Sequence, residues 1–143
     1  MITKVHSTAK KKQMSNPLRD QEKFMRACDQ TVGEFNEAQY KLYLDLMEEE
    51  WKELKSALLM GDRVEQLDAL LDFIVVTAGA IHSAGFDGEG GWKEVMRTNF
   101  AKIDKDTGKV RKREDGKVLK PQGWTPPELE QYLSKTHFMK KFS

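Results

Sequence analysis

The chain has 143 residues, in which 24 lysines and arginines nearly balance 23 aspartates and glutamates, so that the net charge is +1. This length fits a single domain, and the balanced total excludes a uniformly basic nucleic-acid-binding protein and a protein dominated by an acidic tail. Hydrophobic residues make up 38% of the chain, less than the roughly 45–50% of an average globular domain. We therefore expect a thin core that is completed by a second copy of the chain.

The charges are unevenly distributed along the chain. The balance is +5 over residues 1–26, −8 over residues 27–72 and +4 over residues 73–143. A single cysteine, Cys28, excludes an intrachain disulfide, and no stretch approaches the roughly 18 apolar residues of a transmembrane helix. Because no apolar stretch follows the basic N-terminal residues to make a secretory signal, we expect a soluble cytoplasmic protein that does not bind membranes.

The spacing of apolar residues predicts an all-α fold. Residues 1–18 are polar and basic and lack such spacing, which predicts a flexible N-terminal arm ahead of a single helical domain over residues 19–143. Apolar side chains then recur three and four residues apart in four stretches. These stretches predict helices over residues 19–31, 33–60, 63–84 and 92–104. Short links between four such helices favour an antiparallel four-helix bundle.

The segments between and after these helices carry turn signals. Four glycines over residues 85–91 predict a loop before the fourth helix. Residues 104–123 form a basic stretch in which Thr107-Gly108 and Asp115-Gly116 predict two turns and a short hairpin. Thr125-Pro126-Pro127-Glu128 resembles a capping box with proline at the first helical position, which predicts a short terminal helix.

Four carboxylates of the acidic segment fall on the apolar faces of the second and third predicted helices. Glu50 and Glu53 continue apolar rows of the second helix, and Asp68 and Asp72 lie beside the apolar row of the third. Ionised carboxylates on such faces are costly, so they must either hold protons or bind cations. An all-oxygen ligand set favours a hard divalent ion, which predicts a Mg²⁺ site with Mn²⁺ as the alternative.

Other chemistries fit the sequence less well. The three histidines lack the Glu-x-x-His spacing of di-iron bundles, and His82 is interpreted as a histidine at a helix end. The chain contains no P-loop, and its glycine-rich stretch does not open a strand-to-helix turn of the dinucleotide-binding type.

A second group of candidate residues could bind an anion. Asn99 lies on the apolar row of the fourth predicted helix, and Lys102 follows three residues later. An amide and an ammonium group beside a carboxylate–metal cluster could hold a phosphate chain. Lys117 and Lys120 belong to the basic stretch and could fold over the same ligand.

The order of these motifs resembles the MazG-like all-α nucleoside triphosphate pyrophosphohydrolases, and the later segments resemble the phage and bacterial subgroup related to phosphoribosyl-ATP pyrophosphohydrolase. The resemblance extends from about residue 35 to residue 133. Its segments are Glu49-Glu50-x-x-Glu53-Leu54, Asp68-Ala-Leu-Leu-Asp72-Phe-Ile-Val-Val-Thr-Ala-Gly79, Asn99-Phe-Ala-Lys102, and Glu114-Asp-Gly-Lys117-Val-Leu-Lys120 followed by Trp124-Thr-Pro-Pro127.

One position departs from the family pattern. The second motif of the family is usually Glu-x-x-Asp, and if Asp72 is its aspartate, the glutamate position falls on Ala69. The pair Glu65 and Asp68 restores the motif one turn earlier. We favour Asp72 with Asp68 as the substitute ligand, and the part played by Glu65 stays open.

The resemblance implies hydrolysis of a ribo- or deoxyribonucleoside triphosphate to the monophosphate and pyrophosphate, by water attack at the α-phosphorus, in control of the nucleotide pool. It also implies a homodimer or homotetramer with sites near subunit boundaries. The implied site residues are Glu49, Glu50, Glu53 and Asp72 for catalysis, with Glu49 orienting or deprotonating the water; Glu50, Glu53, Asp68 and Asp72 for Mg²⁺; and Asn99, Lys102, Lys117 and Lys120 for the substrate.

Two other functions stay open. Residues 97–120 carry nine basic and four acidic side chains and could bind nucleic acid or a partner protein, and a purely structural oligomerising bundle is the third interpretation. We favour the enzyme because carboxylates from two helices lie on apolar faces. The sequence does not determine which base is preferred. Phe35, Tyr43 and Trp51 are candidates for a base pocket, although core packing explains each of them better.

Overall fold

The computed structural model describes residues 14–135, so residues 1–13 of the predicted N-terminal arm lie outside the described residues. No β-strand forms within this range, which confirms the all-α fold class, and a 3-10 helix at Glu130–Tyr132 is the last helical element. No helix within residues 14–135 combines the length and the apolar character that crossing a membrane requires. The α-helices are α1 (Pro17–Ala27), α2 (Glu37–Met60), α3 (Arg63–Ser83) and α4 (Gly88–Phe100).

Helices α2 and α3 form an antiparallel pair. The side chain of Asn36 accepts a hydrogen bond from the Gln39 backbone N–H at the start of α2, and Gly61, with φ of 65°, ends that helix. The side chain of Asp62 then accepts a hydrogen bond from the Glu65 backbone N–H and caps α3. Because two residues reverse the chain, α2 and α3 pack side by side along their lengths.

The core is small and lies where the first half of α2 meets the second half of α3 and α1. Its buried members are Met25, Tyr43, Val76 and Ala80. Gly79 allows the close approach of the two helices, because a Cβ atom at this position would overlap the Tyr43 ring. The Tyr43 hydroxyl donates a hydrogen bond to the Gln30 side chain at 2.5 Å. Tyr43 is therefore a core residue, as core packing predicts.

The other end of the helix pair is not covered by the described chain. Met60 and Val64 beside the turn are 82% and 76% exposed, and Leu67 and Leu71 on α3 are 59% and 52% exposed. The sequence predicts that α3 is buried on most sides from residue 73 onward, yet Ile74 remains 47% exposed in the single chain. The first half of α3 thus presents an apolar face that residues 14–135 leave uncovered.

Helices α1 and α4 flank the second half of α3. His82 lies in the last turn of α3, as predicted, and its Nε2 lies 2.6 Å from the Leu18 carbonyl oxygen in α1. Helix α4 begins at Gly88, where the sequence predicts a loop, because the Asp87 side chain accepts a hydrogen bond from the Gly90 backbone N–H at 3.0 Å. The predicted glycine loop is therefore partly the first turn of α4, which also ends four residues earlier than expected.

The C-terminal segment, residues 121–135, folds back along α4. The predicted terminal helix is reduced to the 3-10 helix Glu130–Tyr132, since the Glu128 N–H just before it is bound by Glu94 of α4. The hydrogen bonds that fix this path run from Trp124 Nε1 to the Thr98 carbonyl (2.7 Å), from the Glu128 N–H to Glu94 Oε1 (3.1 Å), and from the Asp87 N–H to the Tyr132 carbonyl (2.9 Å).

Residues 101–120, the basic loop, leave α4 and return to its end. Ile103 pairs with Val110 and Lys112 pairs with Val118 in two isolated antiparallel bridges. The glycines of both predicted turns have positive φ angles, 68° and 86°, which glycine adopts without strain. The expected turns and the short hairpin are therefore confirmed.

Candidate active site

The structure brings four predicted metal ligands together midway along the α2–α3 pair. Glu50 and Glu53 lie three residues apart on α2, and Asp68 and Asp72 lie four apart on α3, so each pair shares a helix face. The charges of Glu53, Asp72 and Asp68 all act on the Glu50 carboxyl. These four residues are called the carboxylate cluster below.

Burial and like charges both disfavour ionisation of Glu50 and Asp72. The pKa of Glu50 is raised from 4.5 to about 7, first by burial, then by a hydrogen bond with Glu53 and by the neighbouring negative charges. Its Oε2 atom is buried and has no hydrogen-bond partner. Burial and the charges of Asp68 and Glu53 also raise the pKa of Asp72. No lysine or arginine within residues 14–135 forms an ion pair with any of the four.

The chemistry of the cluster fits a hard cation. A buried carboxylate oxygen without a partner is costly, and like charges at close range repel, so a cation between them would convert repulsion into attraction. Oxygen ligands from two helices match the preference of Mg²⁺ and Mn²⁺. As the side chains stand, no three Asp, Glu, His or Cys residues in the described range are arranged to hold a metal ion. Binding would therefore require side-chain rotation within the cluster.

Glu49 and Glu65 lie outside the carboxylate cluster. Glu49 is exposed on α2. Glu65 is exposed in the first turn of α3, where its backbone N–H is bound by Asp62, and its charge does not contribute to the raised pKa values of Glu50 and Asp72. The geometry therefore places Asp68, and not Glu65, beside Asp72.

Two of the four predicted substrate ligands lie over the Trp124 ring, and a third, Asn99, is hydrogen-bonded to one of them. The Lys102 ammonium group donates a hydrogen bond to Asn99 Oδ1 at 3.2 Å. Lys102 Nζ lies 5.1 Å from the centre of the Trp124 ring and Lys120 Nζ lies 4.7 Å from it. Lys117 is apart from this group, exposed at the second turn of the basic loop. From the sequence, Trp124 is expected only as part of the family-like Trp124-Thr-Pro-Pro127 segment and not as a binding residue, although a tryptophan close to lysines is a signal for a cation–π contact.

Lys102, Lys120 and the linked Asn99 are called the basic group below. The carboxylate cluster and the basic group are separate within one chain. Among residues 14–135, no hydrogen bond, ion pair or ring contact joins the carboxylate cluster to Lys102, Lys120 or Trp124.

Two of the three aromatic candidates for a base pocket lie outside the core. Trp51 is 52% exposed next to Glu50, and Phe35 is 65% exposed. Neither is a core residue, in contrast to the expectation from packing.

Comparison of the sequence with known protein families gives a match over these helices. A family model described as phosphoribosyl-ATP pyrophosphohydrolase matches residues 18–99, which is more than half of the chain. The match includes the whole carboxylate cluster and ends at Asn99, so the basic loop and Trp124 lie beyond it. Among curated proteins, none matches the chain.

Proposed function

The chain belongs to the phosphoribosyl-ATP pyrophosphohydrolase family, and on that basis we propose that it is a Mg²⁺-dependent nucleotide pyrophosphohydrolase. It converts a ribo- or deoxyribonucleoside triphosphate to the monophosphate and pyrophosphate by water attack at the α-phosphorus, in control of the nucleotide pool. The observation that carries this proposal is the carboxylate cluster, in which the Oε2 atom of the half-buried Glu50 has no hydrogen-bond partner and no basic side chain of residues 14–135 forms an ion pair with the cluster.

The carboxylate cluster would hold the metal. Glu50, Glu53, Asp68 and Asp72 supply only oxygen ligands and must be ionised to bind. A divalent ion held by these residues would supply charge compensation for the triphosphate and Lewis-acid activation of water. Glu49 precedes Glu50 on α2 and forms no ion pair in residues 14–135. Its carboxylate would orient the attacking water or accept its proton.

The basic group would hold the phosphate chain. Lys102 and Asn99 are already linked by a hydrogen bond, and Lys120 lies over the same ring as Lys102. These cations offset the repulsion that the carboxylate cluster exerts on a triphosphate. Lys117, at an exposed turn of the basic loop, would close over the bound phosphates and exclude water.

We propose a homodimer or homotetramer in which the apolar faces of α3 in neighbouring copies cover one another. Leu67 and Leu71 are both more than half exposed and flank Asp68, and soluble monomers rarely expose contiguous apolar faces of this kind. Such an interface would bury the surroundings of the carboxylate cluster further. It would also allow one copy to bring its basic group to the cluster of another.

The test is pyrophosphate release by the full chain with Mg²⁺ over a panel of ribo- and deoxyribonucleoside triphosphates, with phosphoribosyl-ATP added as the substrate that the family description names. Hydrolysis in ¹⁸O-labelled water should place the label in the monophosphate, because attack at the α-phosphorus leaves unlabelled pyrophosphate. Glu53→Gln should lower kcat by about 100-fold or more, as losses of charge stabilisation in active sites do, and should leave the helical circular dichroism unchanged.

Glu48→Gln is the matched control, because Glu48 is exposed on the same helix and lies outside the carboxylate cluster; this variant should retain full turnover. If the chain releases pyrophosphate from none of these substrates, the proposal is refuted. Salt-sensitive oligonucleotide binding that Glu53→Gln leaves unchanged, without any turnover, would instead support a nucleic-acid-binding module based on residues 97–120.

A further inference from the structure

A cleft at the base of the basic loop, called the basic cleft below, has the charge of an anion-binding site. It lies where the end of α4 meets both ends of the loop, beyond the residues that the family model matches. Its lining includes three cationic side chains and one carboxylate. The residues that line it include Lys102, Asp104, Arg111, Leu119, Lys120 and Gln122.

Two of the three cations in this cleft have no anionic partner in the part of the chain that the structure describes. Arg111 pairs with Asp104, with an N–O distance of 3.6 Å. The Lys102 ammonium group bonds to the neutral amide oxygen of Asn99, and Lys120 forms no ion pair within residues 14–135. Like charges gathered at one place repel. An anion in the cleft would remove this repulsion.

Trp124 is the residue that gathers the two free ammonium groups. Its indole N–H donates to the Thr98 carbonyl oxygen at 2.7 Å, which fixes the half-buried ring on the last turn of α4. The ring then attracts Lys102 from the end of the helix and Lys120 from the end of the loop. Without the ring, both side chains would be long, flexible and free to separate.

We propose that this cleft binds the phosphates of a compact di- or triphosphate without a metal ion, and that Trp124 is a positioning residue for Lys102 and Lys120. The identity of the ligand rests on the proposed function. Nucleic acid is the less suitable ligand, because proteins that bind single strands leave aromatic rings free to stack on bases. Here the Trp124 ring is already engaged by two ammonium groups.

The probe is inorganic tripolyphosphate, titrated into the full chain in EDTA by calorimetry. Without metal, the carboxylate cluster repels this probe, so binding reports the basic cleft alone. Lys102→Met and Lys120→Met should each weaken binding about tenfold, as the loss of a charge-assisted hydrogen bond does. Lys105→Met is the control, because Lys105 is an exposed lysine of the same loop outside the cleft; its affinity should match the unmodified chain.

Substitutions of Trp124 separate positioning from folding. Trp124→Leu keeps both charges but removes the ring, and should weaken tripolyphosphate binding roughly fivefold, in line with the modest energy of exposed cation–π contacts. Trp124→Phe loses the indole N–H and one ring but keeps an aromatic face for the two ammonium groups, so it should bind tripolyphosphate more tightly than Trp124→Leu does. In turnover assays, Trp124→Leu should raise KM while kcat stays within about twofold, as expected for a group that binds ground state and transition state alike.

Several results would overturn the inference. One is that tripolyphosphate does not bind, or that Lys105→Met weakens its binding as much as Lys102→Met and Lys120→Met do. Another is that the affinity for tripolyphosphate is unchanged in Trp124→Leu. A third is that Trp124→Leu and Trp124→Phe lose equal affinity and both melt at lower temperatures, which would indicate a role in folding. An oligonucleotide that displaces tripolyphosphate better than ATP does would overturn the assignment of a small ligand. Failure of the proposed function looks different, since no substrate would then be hydrolysed while tripolyphosphate still bound in EDTA. Glu53→Gln should likewise bind the probe normally.

Discussion

Replacement of Glu50 by glutamine should stabilise the metal-free protein at alkaline pH while removing Mg²⁺-dependent turnover. Folding raises the pKa of the Glu50 carboxyl from 4.5 to about 7, first because of burial and then because of Glu53, Asp72 and Asp68. Between these pH values the folded state keeps a proton that the unfolded chain has lost. Stability therefore falls as the pH rises from about 4.5 to about 7, and the full cost persists above that range.

The size of the effect follows from the pKa shift. At about 1.4 kcal/mol per pKa unit, the shift corresponds to roughly 3 kcal/mol, and partial exposure of the side chain reduces this to about 1–2 kcal/mol. Glutamine has the same shape, carries no charge and can donate a hydrogen bond to Glu53. We expect Glu50→Gln to raise the free energy of unfolding by about 1–2 kcal/mol at alkaline pH, and Tm by roughly 3–6 °C. Near pH 4 the two proteins should be about equally stable, because Glu50 is then protonated in both states.

The assay is urea denaturation followed by circular dichroism in EDTA, at acidic, neutral and alkaline pH. Protomer concentration is held fixed because association would change the apparent stability. Glu48→Gln, on the exposed side of α2, should shift stability by less than about 0.5 kcal/mol at every pH. Added Mg²⁺ should stabilise the unmodified chain more than Glu50→Gln. If Glu50→Gln is no more stable than the unmodified chain at alkaline pH in EDTA, Glu50 does not carry an uncompensated buried charge.

Three further substitutions test other parts of the structure. Gly79→Ala should lower stability by about 1–3 kcal/mol because the new Cβ overlaps the Tyr43 ring, and an unchanged urea midpoint would contradict this packing. Leu71→Glu places a charge on the exposed apolar face of α3 and should lower the molar mass measured by sedimentation at equal concentration; an unchanged mass would locate the proposed interface elsewhere. The pKa of Glu94 is lowered to about 2 by a paired arginine and by the Glu128 N–H, so its contribution to stability is present above about pH 4.5 and is lost as the pH falls toward 2. In the unmodified chain, acid should therefore reduce the protection of the Glu128 amide against hydrogen exchange. In Glu94→Gln, this protection should be reduced already at neutral pH. Identical protection in the two proteins would refute the role of the hydrogen bond between the Glu128 N–H and Glu94.

The helices and the carboxylate cluster could be predicted from the sequence because both depend on short-range regularities. Apolar spacing defines each helix, and the Gly61-Asp62 turn forces α2 and α3 into an antiparallel pair. The register is then set by the turn, as the hydrogen bond from Gln66 to the Ala57 carbonyl shows. Carboxylates at equal distances from the turn must therefore meet.

Arrangements that depend on distant contacts could not be predicted in this way. Glycine is a weak helix former, yet the first turn of α4 forms because Asp87 caps it and because Gly90 leaves room for a tyrosine ring of the C-terminal segment. The capping-box pattern that ends at Glu128 does not start an α-helix, because the Glu128 N–H is bound by the Glu94 side chain. The cation–π contacts of Trp124 likewise join residues that the basic loop separates.

The positions of the two sites along the chain predict an order of folding. The carboxylate cluster lies within residues 50–72, whereas the basic cleft needs Trp124 much later in the chain. Synthesis proceeds from the N-terminus, and the earlier segments are free to fold first. We therefore expect the carboxylate cluster to assemble on a growing chain before Trp124 is available to the basic cleft. During synthesis, the half of the protein suited to cations would be complete before the half suited to phosphates.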